Sequence, residues 1–439
     1  MYSTVVDQET AYRELLHGRD NLFLTGDAGT GKTHLIKQWL SGISNVAVTA
    51  STGSAALAIG GQTLHSFFRI PPKLNNPEKL AALRAQAVTG ERLETLRRLK
   101  TLLIDEVSMV RSEVMTYIES FLRAVRKTSV AWGEVRVVCV GDPFQLSPVV
   151  KEHEKRWVTE PWFFQTDAWL CTPFVTMHLG TSFRQKDPEF LGILKRIRVG
   201  EFSAADIERV NSRVLPPPSG AVHLGAVNSV VDERNSAELA RLSGNEWRFR
   251  MECPGPLACH ISEKHIPVAA EIVLKHGARV LLVTNHRGED RLGTGEWVNG
   301  STGTFTDVRF DFTVKKDALI VRLDNGETVR VFPHRWDTRE VYYDPEEKVW
   351  LNRTVASASQ YPVKLGWALT VHRAQGTTLG QVHFHPEGVF ENGQVYVALS
   401  RVRALTDLTL ETPIDPDSIT VSSCVLDAFP PPAIGGSPA

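Results

Sequence analysis

Residues 26–33 are the sequence feature that most limits how this chain can fold. They read Gly-Asp-Ala-Gly-Thr-Gly-Lys-Thr, which matches the phosphate-binding pattern G-x-x-x-x-G-K-[ST]. A short apolar run, residues 21–25, precedes the loop, and residues 34–40 follow it with helical spacing. Strand, glycine loop and helix are the context that such a loop requires, so we expect a nucleotide-binding α/β domain rather than a glycine-rich turn without nucleotide.

The loop also indicates which groups would hold a nucleotide. Glycines have no Cβ, so backbone N–H groups can close around phosphate oxygens, and the following helix adds its positive dipole end. Lys32 is expected to reach the β- and γ-phosphates of ATP, and the Thr33 hydroxyl is expected to hold Mg²⁺. The expected nucleotide-binding residues of the loop are Gly26, Ala28, Gly29, Thr30, Gly31, Lys32 and Thr33.

Composition narrows the class of protein. The length of 439 residues, with 42% hydrophobic and 23% charged residues, favours two or three globular domains. The formal net charge is −1, so a nucleic acid would have to be bound by local basic and aromatic patches. No run of 18 apolar residues and no signal-like N-terminus is present, which disfavours a membrane span and secretion. Five dispersed cysteines suit a reducing cytosol, and inert thiols explain Cys253 and Cys259 better than zinc binding with His260.

Beyond the loop, residues 20–180 alternate between short apolar runs and segments with helical spacing. This alternation is typical of a parallel sheet covered by helices on both faces. The α/β pattern continues over residues 181–290 and resumes over residues 363–411. The predicted strands are residues 21–25, 46–50, 101–104, 135–140, 174–179, 221–224 and 279–283, and the clearest predicted helix is Ser112–Arg126.

Three segments depart from this pattern. Residues 71–100 carry seven basic and three acidic side chains, which favours a solvated helical face, although a basic excursion could also contact a polyanion. Residues 296–360 alternate with a period of two and contain the hairpin turn Asp324-Asn325-Gly326, so they predict a small all-β insert, with a second hairpin joining residues 341–343 to 349–351. From Phe429 onward, prolines and glycines predict a disordered tail.

Polar groups at the ends of predicted strands are candidates for ATP hydrolysis. Asp105 and Glu106 end a buried strand, at the edge where open α/β sheets present catalytic groups. Asp105 could hold Mg²⁺ through water, and Glu106 could orient and deprotonate the attacking water. Gln145 follows the next apolar strand and could hydrogen-bond the γ-phosphate or that water. Arg184 and Arg401 are candidate arginine fingers, with surface salt bridges as the alternative that spacing alone leaves open.

The motifs, taken in order, resemble those of one enzyme family. The chain resembles the superfamily-1 helicases of the Pif type (petite integration frequency), relatives of the RecD helicases, over about residues 5–415. Residues 106–126 also resemble a signature of that family alone. The motifs besides the phosphate-binding loop are Thr49-Ala50-Ser51-Thr52-Gly53, Gly61-Gln62-Thr63-Leu64-His65-Ser66-Phe67-Phe68, Ile104-Asp105-Glu106-Val107-Ser108-Met109-Val110, Gly141-Asp142-Pro143-Phe144-Gln145-Leu146, Val371-His372-Arg373-Ala374-Gln375-Gly376 and Leu399-Ser400-Arg401.

The resemblance implies an α/β fold with two RecA-like parallel-sheet domains. The first would be residues 1–180, with a wedge insertion at about 68–100, and the second would be residues 181–295 with 361–415. Residues 296–360 would form an SH3-like barrel and residues 416–439 a partly disordered tail. ATP would bind between the RecA-like domains, where Gln8, Gln145, Arg184, Gly376 and Arg401 would join the loop. The motor begins close to Met1, so we expect that any regulatory extension is either absent or was removed.

For function, the resemblance implies an ATP-driven motor that moves 5′→3′ on single-stranded DNA. It would unwind duplex, forked, RNA–DNA and G-quadruplex structures in DNA repair, recombination, replication and telomere maintenance, as a monomer that could dimerise on DNA. Its expected location is the cytoplasm at a bacterial nucleoid, or the nucleus or mitochondrion of a eukaryote. The expected DNA contacts are Ser51, Thr52, Gly53, His65, Phe67, Asn228, Thr370, His372 and Arg373.

Three other functions compete with this one. An ATP-gated DNA-binding scaffold would lack Glu106 or Arg401, and both residues are present. A RecD-like motor subunit would need a partner chain for nuclease activity, because the sequence shows no nuclease carboxylate cluster. A 3′→5′ helicase is disfavoured by the short spacing and compact second half of the chain.

Overall fold

The computed structural model describes residues 4–43, 46–52, 55–56, 59–71, 74, 76–148, 150, 160–218, 221–253, 268–284, 286–287, 296–297, 301–344 and 349–430. For residues 91, 287, 336–344 and 349–356 it describes the backbone only. The chain divides into two compact units, which are described separately. One contains Met1–Val227 and Thr370–Ala439, and the other contains Asn228–Leu369. The division into four domains expected from the sequence stays a prediction.

The first unit contains a parallel sheet of seven strands. Its strands are β1 (Thr4–Val6), β2 (Asn21–Gly26), β3 (Val46–Ala50), β4 (Gln62–Thr63), β5 (Thr101–Asp105), β6 (Arg136–Val140) and β7 (Phe174–Leu179). They lie in the order β1-β7-β2-β6-β5-β3-β4, and every neighbouring pair is parallel. The α/β fold and the five strands predicted before residue 180 are therefore confirmed. Because all strands run the same way, their carboxyl ends meet at one edge of the sheet.

Helices cover both faces of this sheet. They are α1 (Gln8–His17), α2 (Lys32–Leu40), α3 (Leu64–Phe68), α4 (Pro77–Gln86), α5 (Gly90–Arg98), α6 (Ser112–Arg126) and α7 (Asp167–Leu170). Successive side chains of β2 show the two faces: Leu22 and Leu24 pack with Leu15 and Ile36, whereas Phe23 packs in the opposite cluster with Trp169. Burying one such side chain stabilises the fold by roughly 1.5–3 kcal/mol.

The basic segment at residues 68–100 folds as α4 and α5 and joins the core. Ala81 and Ala85 of α4, with Leu96 of α5 and the following Leu99, are buried in one cluster with Tyr117 of α6. Its basic side chains lie mostly at the surface, as the sequence predicts for a solvated helical face.

The rest of the first unit forms a smaller parallel sheet. After α8 (Pro188–Val199) and α9 (Ala204–Asn211), β8 (Val222–Gly225) begins it. Asn228–Leu369 follow in the other unit. That unit contains α10 (Asn228–Arg241) and the strands β9 (Glu246–Arg250), β10 (Glu271–Lys275), β11 (Arg279–Leu282), β12 (His286–Arg287), β13 (Glu296–Trp297), β14 (Thr302–Asp311), β15 (Lys316–Leu323), β16 (Thr328–Val331), β17 (His334–Asp344), β18 (Val349–Gln360) and β19 (Val363–Leu365), and it ends within β20 (Ala368–Thr370).

The second unit is built mainly from antiparallel strands, as predicted for residues 296–360. Five strands lie in the order β16-β15-β14-β11-β19, and β17 pairs with β18 in a long hairpin. Gly326, in the predicted turn between β15 and β16, has φ 92°, which favours glycine. The strand predicted at residues 279–283 is present as β11, but it pairs antiparallel with β14 and β19 and so is not part of a parallel α/β sheet.

The chain then completes the first unit. α11 (Val371–Ala374), β21 (Val382–His385), α12 (Gln394–Leu399), β22 (Leu408–Leu410) and α13 (Ser423–Ala428) follow in order. β21 lies between β8 and β22 and is parallel to both. Phe429, where the sequence predicts a disordered tail, is instead buried, with its ring 5.3 Å from Phe23 and 5.1 Å from Phe164. Among the described residues, no helix combines the length and apolar composition that a membrane crossing requires.

Candidate nucleotide and DNA site

The phosphate-binding loop joins β2 to α2, as its sequence predicts. Gly29 and Gly31 have φ angles of 81° and 79°, a left-handed conformation that residues with a Cβ rarely adopt. A Cβ on Gly29 would lie 2.5 Å from Arg184 Cβ, and one on Gly31 would lie 2.4 Å from Gln8 Nε2. The two glycines therefore allow both the turn and the close approach of two other candidate residues.

Lys32 folds back over the loop that it follows. Its Nζ donates hydrogen bonds to the carbonyl oxygens of Gly26 (2.6 Å) and Asp27 (3.0 Å). Burial lowers the pKa of Lys32, and the carboxylates of Asp142, Glu106 and Asp27 partly offset that effect. An anion in the loop would act in the same direction as these carboxylates and favour the charged amine.

Asp105 and Glu106 lie at the carboxyl end of β5. Burial, followed by the neighbouring charge of Glu106, raises the pKa of Asp105 to about 7. Asp105 Oδ1 accepts a hydrogen bond from the Glu106 backbone N–H at 2.9 Å, and Glu106 has a left-handed φ of 51°. Gln375 Nε2 donates to Glu106 Oε2 at 3.1 Å, so the residue after β5 contacts the segment that follows α11.

A buried ion-pair network holds Gln145. Its Nε2 donates to Asp142 Oδ2 at 3.2 Å, and Arg198 Nη2 donates to Asp142 Oδ1 at 2.7 Å. Arg198 also lies 3.3 Å from Asp27 Oδ1 in the phosphate-binding loop, and its guanidinium lies over the ring of Phe144 at 4.1 Å. Burial disfavours the charge of Arg198, but Asp142 and Asp27 outweigh it and raise the pKa of the guanidinium. Arg198 thus links the loop to the turn that carries Gln145.

The two candidate arginine fingers lie in one neighbourhood. Arg401 is buried, and it donates to the carbonyl oxygens of Val397 (2.7 Å) and Ala374 (3.3 Å). Burial, then the like charge of Arg184, lowers the pKa of Arg401 to about 9, so it stays protonated at neutral pH. Arg184 donates to the carbonyl oxygen of Ser400 at 2.9 Å. Two cations in one neighbourhood, Arg401 buried and Arg184 half-buried, favour an anion beside them.

Tyr396 is a site residue to which sequence reasoning gave no role. Its hydroxyl oxygen accepts a hydrogen bond from the backbone N–H of Ala28 at 2.8 Å. The N–H belongs to the phosphate-binding loop, and Tyr396 lies on α12, which ends two residues before Arg401. A direct link between the loop and the arginine segment is therefore present. Only its position in the sequence, five residues before the candidate finger Arg401, could have pointed to Tyr396.

The phosphate-binding loop, Glu106, Gln145, Arg184 and Arg401 line a cavity of 510 Å³, which is large enough for a nucleotide. Gln8 and Asp105 lie just outside its lining, and Gln8 Nε2 donates to the carbonyl oxygen of Thr30 at 3.1 Å. Residues that the sequence did not single out also line it: His34, Phe183, Lys186, Thr378 and Arg403. The predicted nucleotide-site residues that line it are Ala28, Gly29, Thr30, Gly31, Lys32, Thr33, Glu106, Gln145, Arg184, Gly376 and Arg401.

The candidate DNA contacts on the larger sheet lie at its carboxyl edge, and so do the candidate nucleotide-binding residues. Ser51 and Thr52 directly follow β3, and His65 and Phe67 lie on α3, which directly follows β4. The strands before Lys32, Glu106 and Gln145 are β2, β5 and β6 in the same sheet. His65 is exposed and Phe67 half-buried. Gly53 lies outside the described residues.

The remaining DNA candidates fall in both units. Thr370 is buried and ends β20, directly before α11. His372 lies 2.8 Å from a Glu391 carboxylate oxygen, and Arg373 is exposed. Asn228 is exposed at the start of α10 and belongs to the other unit. The structure thus brings Thr370, His372 and Arg373 together on one short segment of the chain.

Comparisons with known proteins place these residues in one family. A family model described as PIF1-like helicase matches residues 4–207. The ATP-dependent DNA helicase Pif1 of Bdellovibrio bacteriovorus is 30% identical over 436 residues, covering 96% of this chain and 91% of that protein. The ATP-dependent DNA helicase PIF1 of Xenopus laevis is 31% identical over 429 residues; here the chain spans 63% of the relative's length.

Solved structures are similar over nearly the whole chain. A Pif1 helicase from Bacteroides in complex with ADP-AlF3 and single-stranded DNA has a TM-score of 0.81 and 28% identity, with 98% of this chain and 96% of that chain covered. A structure of two coordinating Pif1 helicases that unwind forked double-stranded DNA has a TM-score of 0.78, 28% identity and the same coverage.

Proposed function

The chain belongs to the PIF1-like helicase family, and we propose that it is an ATP-driven motor that moves 5′→3′ along single-stranded DNA and separates duplexes ahead of it. The observation that carries the proposal is the cavity in which the loop of Lys32, the carboxylate of Glu106 and the amide of Gln145 meet Arg184 and Arg401. A cavity lined by these three cations and a carboxylate suits phosphoryl transfer to water.

In the proposed ATP complex, the phosphates occupy the loop and Lys32 exchanges its carbonyl partners for phosphate oxygens. Arg184 and Arg401 neutralise charge that develops on the transferred phosphoryl group. Glu106 orients the attacking water and accepts its proton, while Gln145 contacts the γ-phosphate or that water. Arg198 fixes Gln145 through Asp142 and so positions the amide without touching the nucleotide itself.

The residues present fit a bound Mg²⁺. The Thr33 hydroxyl and the Asp105 carboxylate are hard oxygen donors, which this cation prefers. The raised pKa of Asp105, caused by burial beside Glu106, marks a place where added positive charge is favourable. Mg²⁺ would supply charge neutralisation between the β- and γ-phosphates, with Asp105 acting through water.

A change at the nucleotide is proposed to reach bound DNA through two hydrogen bonds, each of which lies next to DNA candidates in the chain. Gln375, which donates to Glu106, lies only two residues after Arg373. On the sheet, the backbone N–H of Ser51 donates to the carbonyl oxygen of Asp105 at 3.1 Å. Loss of the γ-phosphate would therefore change contacts directly beside both groups of DNA candidates.

DNA is proposed to lie along the carboxyl edge of the larger sheet and across α11. Among the described residues, the buried Ser51 hydroxyl has no hydrogen-bond partner, so it can donate to a phosphate oxygen. Phe67 offers a ring for base stacking. The contacts proposed in full are Ser51, Thr52, Gly53, His65, Phe67, Asn228, Thr370, His372 and Arg373, with an SH3-like role for residues 296–360 and a wedge at about 68–100.

We further propose that the substrates include forked duplexes, RNA–DNA hybrids and G-quadruplexes. The chain would act in repair, recombination, replication or telomere maintenance, at a bacterial nucleoid or in a nucleus or mitochondrion. The similarity to two coordinating helicases on forked DNA supports a monomer that can pair with a second copy on DNA.

Hydrolysis of ATP stimulated by single-stranded DNA tests the site. Lys32→Ala removes the amine that would bind the β- and γ-phosphates, so we expect kcat/KM to fall by at least ~100-fold. Lys37→Ala, at an exposed position of the same helix, is the matched control and should retain the rate. Unchanged hydrolysis by Lys32→Ala would remove the phosphate-binding loop from the mechanism.

A further inference from the structure

Three histidines lie together on the smaller parallel sheet, away from the nucleotide cavity. His223 is on β8, and His383 and His385 are on β21. His223 and His383 are register partners on the neighbouring strands, and His385 is two residues further along. Because side chains of a strand alternate between faces, the three rings share one face of the sheet.

The rings are close enough to share an ion. One ring nitrogen from each histidine lies within 4.8 Å of the other two. His223 Nδ1 and His385 Nε2 are 2.9 Å apart, and the rings of His223 and His383 have centroids 5.1 Å apart. His223 and His383 are buried, and His385 is half-buried. The cluster is thus a mostly buried group of three rings on one face of the sheet, and the half-buried ring of His385 marks its more open side.

A carboxylate contacts one member of this group. Glu411 directly follows β22, and its Oε2 lies 2.6 Å from His383 Nε2. The side chain of Glu411 is 53% exposed whereas that of His383 is 1% exposed, so the carboxylate lies between the buried rings and solvent. An ion could enter from this side.

The hydrogen bonds of His383 leave its Nε2, which carries no proton, facing the carboxylate of Glu411. The hydroxyl of Thr409 donates to the carbonyl oxygen of Val382 at 3.3 Å, and so it accepts from His383 Nδ1 at 2.8 Å. That tautomer leaves the lone pair of Nε2 directed at the Glu411 carboxylate. Two acceptors at this distance need a positive charge between them, either a proton or a metal ion. A hydrogen bond to the other ring nitrogen is also the usual support for a metal-bound histidine.

We propose that His223, His383, His385 and Glu411 bind one Zn²⁺. Three imidazole nitrogens and one carboxylate oxygen form a donor set that zinc accepts with tetrahedral geometry. Mg²⁺ does not suit this set, because it prefers oxygen ligands. With Zn–N bonds of about 2.0–2.1 Å, ligand atoms lie roughly 3.3 Å apart. His223 Nδ1 and His385 Nε2, now 2.9 Å apart, and His383 Nε2 and Glu411 Oε2, now 2.6 Å apart, would therefore separate slightly on binding.

The ion would have a structural role. It joins β8 to β21 and to the end of β22, across sequence separations of 162 and 28 residues. The residues that line the nucleotide cavity do not include any member of this cluster. All four positions would be filled by protein, which is typical of a structural rather than a catalytic zinc site.

Metal binding by the chelator-stripped protein tests the proposal. Zn²⁺ should bind at one ion per chain and raise the melting temperature, and Co²⁺ should give the visible absorption of a tetrahedral site, whereas Mg²⁺ should do neither. His385→Gln removes the half-buried ligand with little loss of packing, and we expect at least tenfold weaker Zn²⁺ binding. His17→Gln, on an exposed helix end, is the matched control and should bind as the native chain does.

Two results would overturn the proposal. Absence of stoichiometric Zn²⁺ binding by the native chain would mean that a shared proton holds the cluster together. Equal Zn²⁺ affinity in His385→Gln would place the ion elsewhere, for example on the exposed thiols of Cys171 and Cys424. DNA-stimulated ATP hydrolysis at the native rate shows that the variant is folded, and it separates this test from that of the helicase assignment.

Discussion

At Asp105 the requirements of folding and of the proposed chemistry are opposed: burial disfavours the ionised carboxylate, whereas magnesium binding needs it. Asp105 is 4% exposed and lies next to Glu106, and both conditions disfavour its ionised form. The proposed magnesium role needs that ionised form. The free protein therefore carries a cost that a cation would relieve, as is common for groups at functional sites.

The pH dependence of stability follows from this shift. The folded-state pKa of about 7 lies above the ordinary 3.8, so ionising Asp105 destabilises the fold increasingly from about pH 4 to pH 7 and fully above it. In Mg²⁺-free protein, Asp105→Asn should raise the melting temperature at about pH 8 by at least about 2 °C more than at about pH 5.5. Differential scanning calorimetry measures both values.

Asp206 provides a control of opposite sign. Its hydrogen bonds to Arg196 lower its pKa well below the ordinary 3.8, so the stability that it contributes is present above pH 3.8 and does not change between about pH 5.5 and pH 8. Asp206→Asn should lower the melting temperature equally at both pH values. If Asp105→Asn showed the same flat response, burial would not be setting the ionisation of Asp105.

The residues of the phosphate-binding site could be predicted from the sequence, because each belongs to a short local pattern. The loop glycines, Lys32, Glu106 and Gln145 each occupy a fixed place relative to a strand end. Tyr396 and Arg198 could not be assigned this way. Their effects depend on contacts with Ala28 and Asp142, which are 368 and 56 residues away in the chain.

At the scale of elements, α13 and the residue after it are part of the fold of the first unit. Val425 and Phe429 are buried in the same cluster as Phe23 and Trp169. Composition pointed to disorder because prolines and glycines crowd the region after Phe429. The aromatic ring outweighs that tendency, since burying a phenylalanine contributes roughly 1.5–3 kcal/mol.

Replacing this ring should weaken the first unit. Phe429→Ala removes contacts with Phe23 and Phe164, and we expect a loss of about 3 kcal/mol, seen as a lower urea midpoint of the first unit. Phe312→Ala is the matched control, because Phe312 is 85% exposed, and its effect should stay within about 0.5 kcal/mol. Equal midpoints for the two variants would show that the C-terminal helix is not docked.

Strand prediction succeeded for the parallel sheet of the first unit, where short apolar runs alternate with helices, and was incomplete at β11. The run Arg279–Leu282 is short and apolar, which suits both a parallel strand and a buried antiparallel strand. Only its pairing with β14 and β19 decides between them, and neither partner is visible in the run itself. For the same reason, nothing in the sequence pattern indicated that β8, β21 and β22 bring together four side chains, those of His223, His383, His385 and Glu411.

For the whole molecule, the near-zero net charge fits the proposed motor better than a passive DNA-binding protein. A chain with a formal charge of −1 gains little from nonspecific attraction to DNA. DNA binding would then depend on a few positioned groups such as the Ser51 hydroxyl, whose neighbours are proposed to change with nucleotide state. Membership of the PIF1-like family is shown by the comparisons, and direction of movement is the central part that they leave to experiment.

Strand displacement on tailed duplexes tests the proposed 5′→3′ direction of movement most directly. With ATP and Mg²⁺, the native chain should unwind a duplex with a 5′ single-stranded tail and leave one with only a 3′ tail intact, while Lys32→Ala should unwind neither. Unwinding of the 3′-tailed duplex alone would contradict the account, as would unwinding of the 5′-tailed duplex by Lys32→Ala.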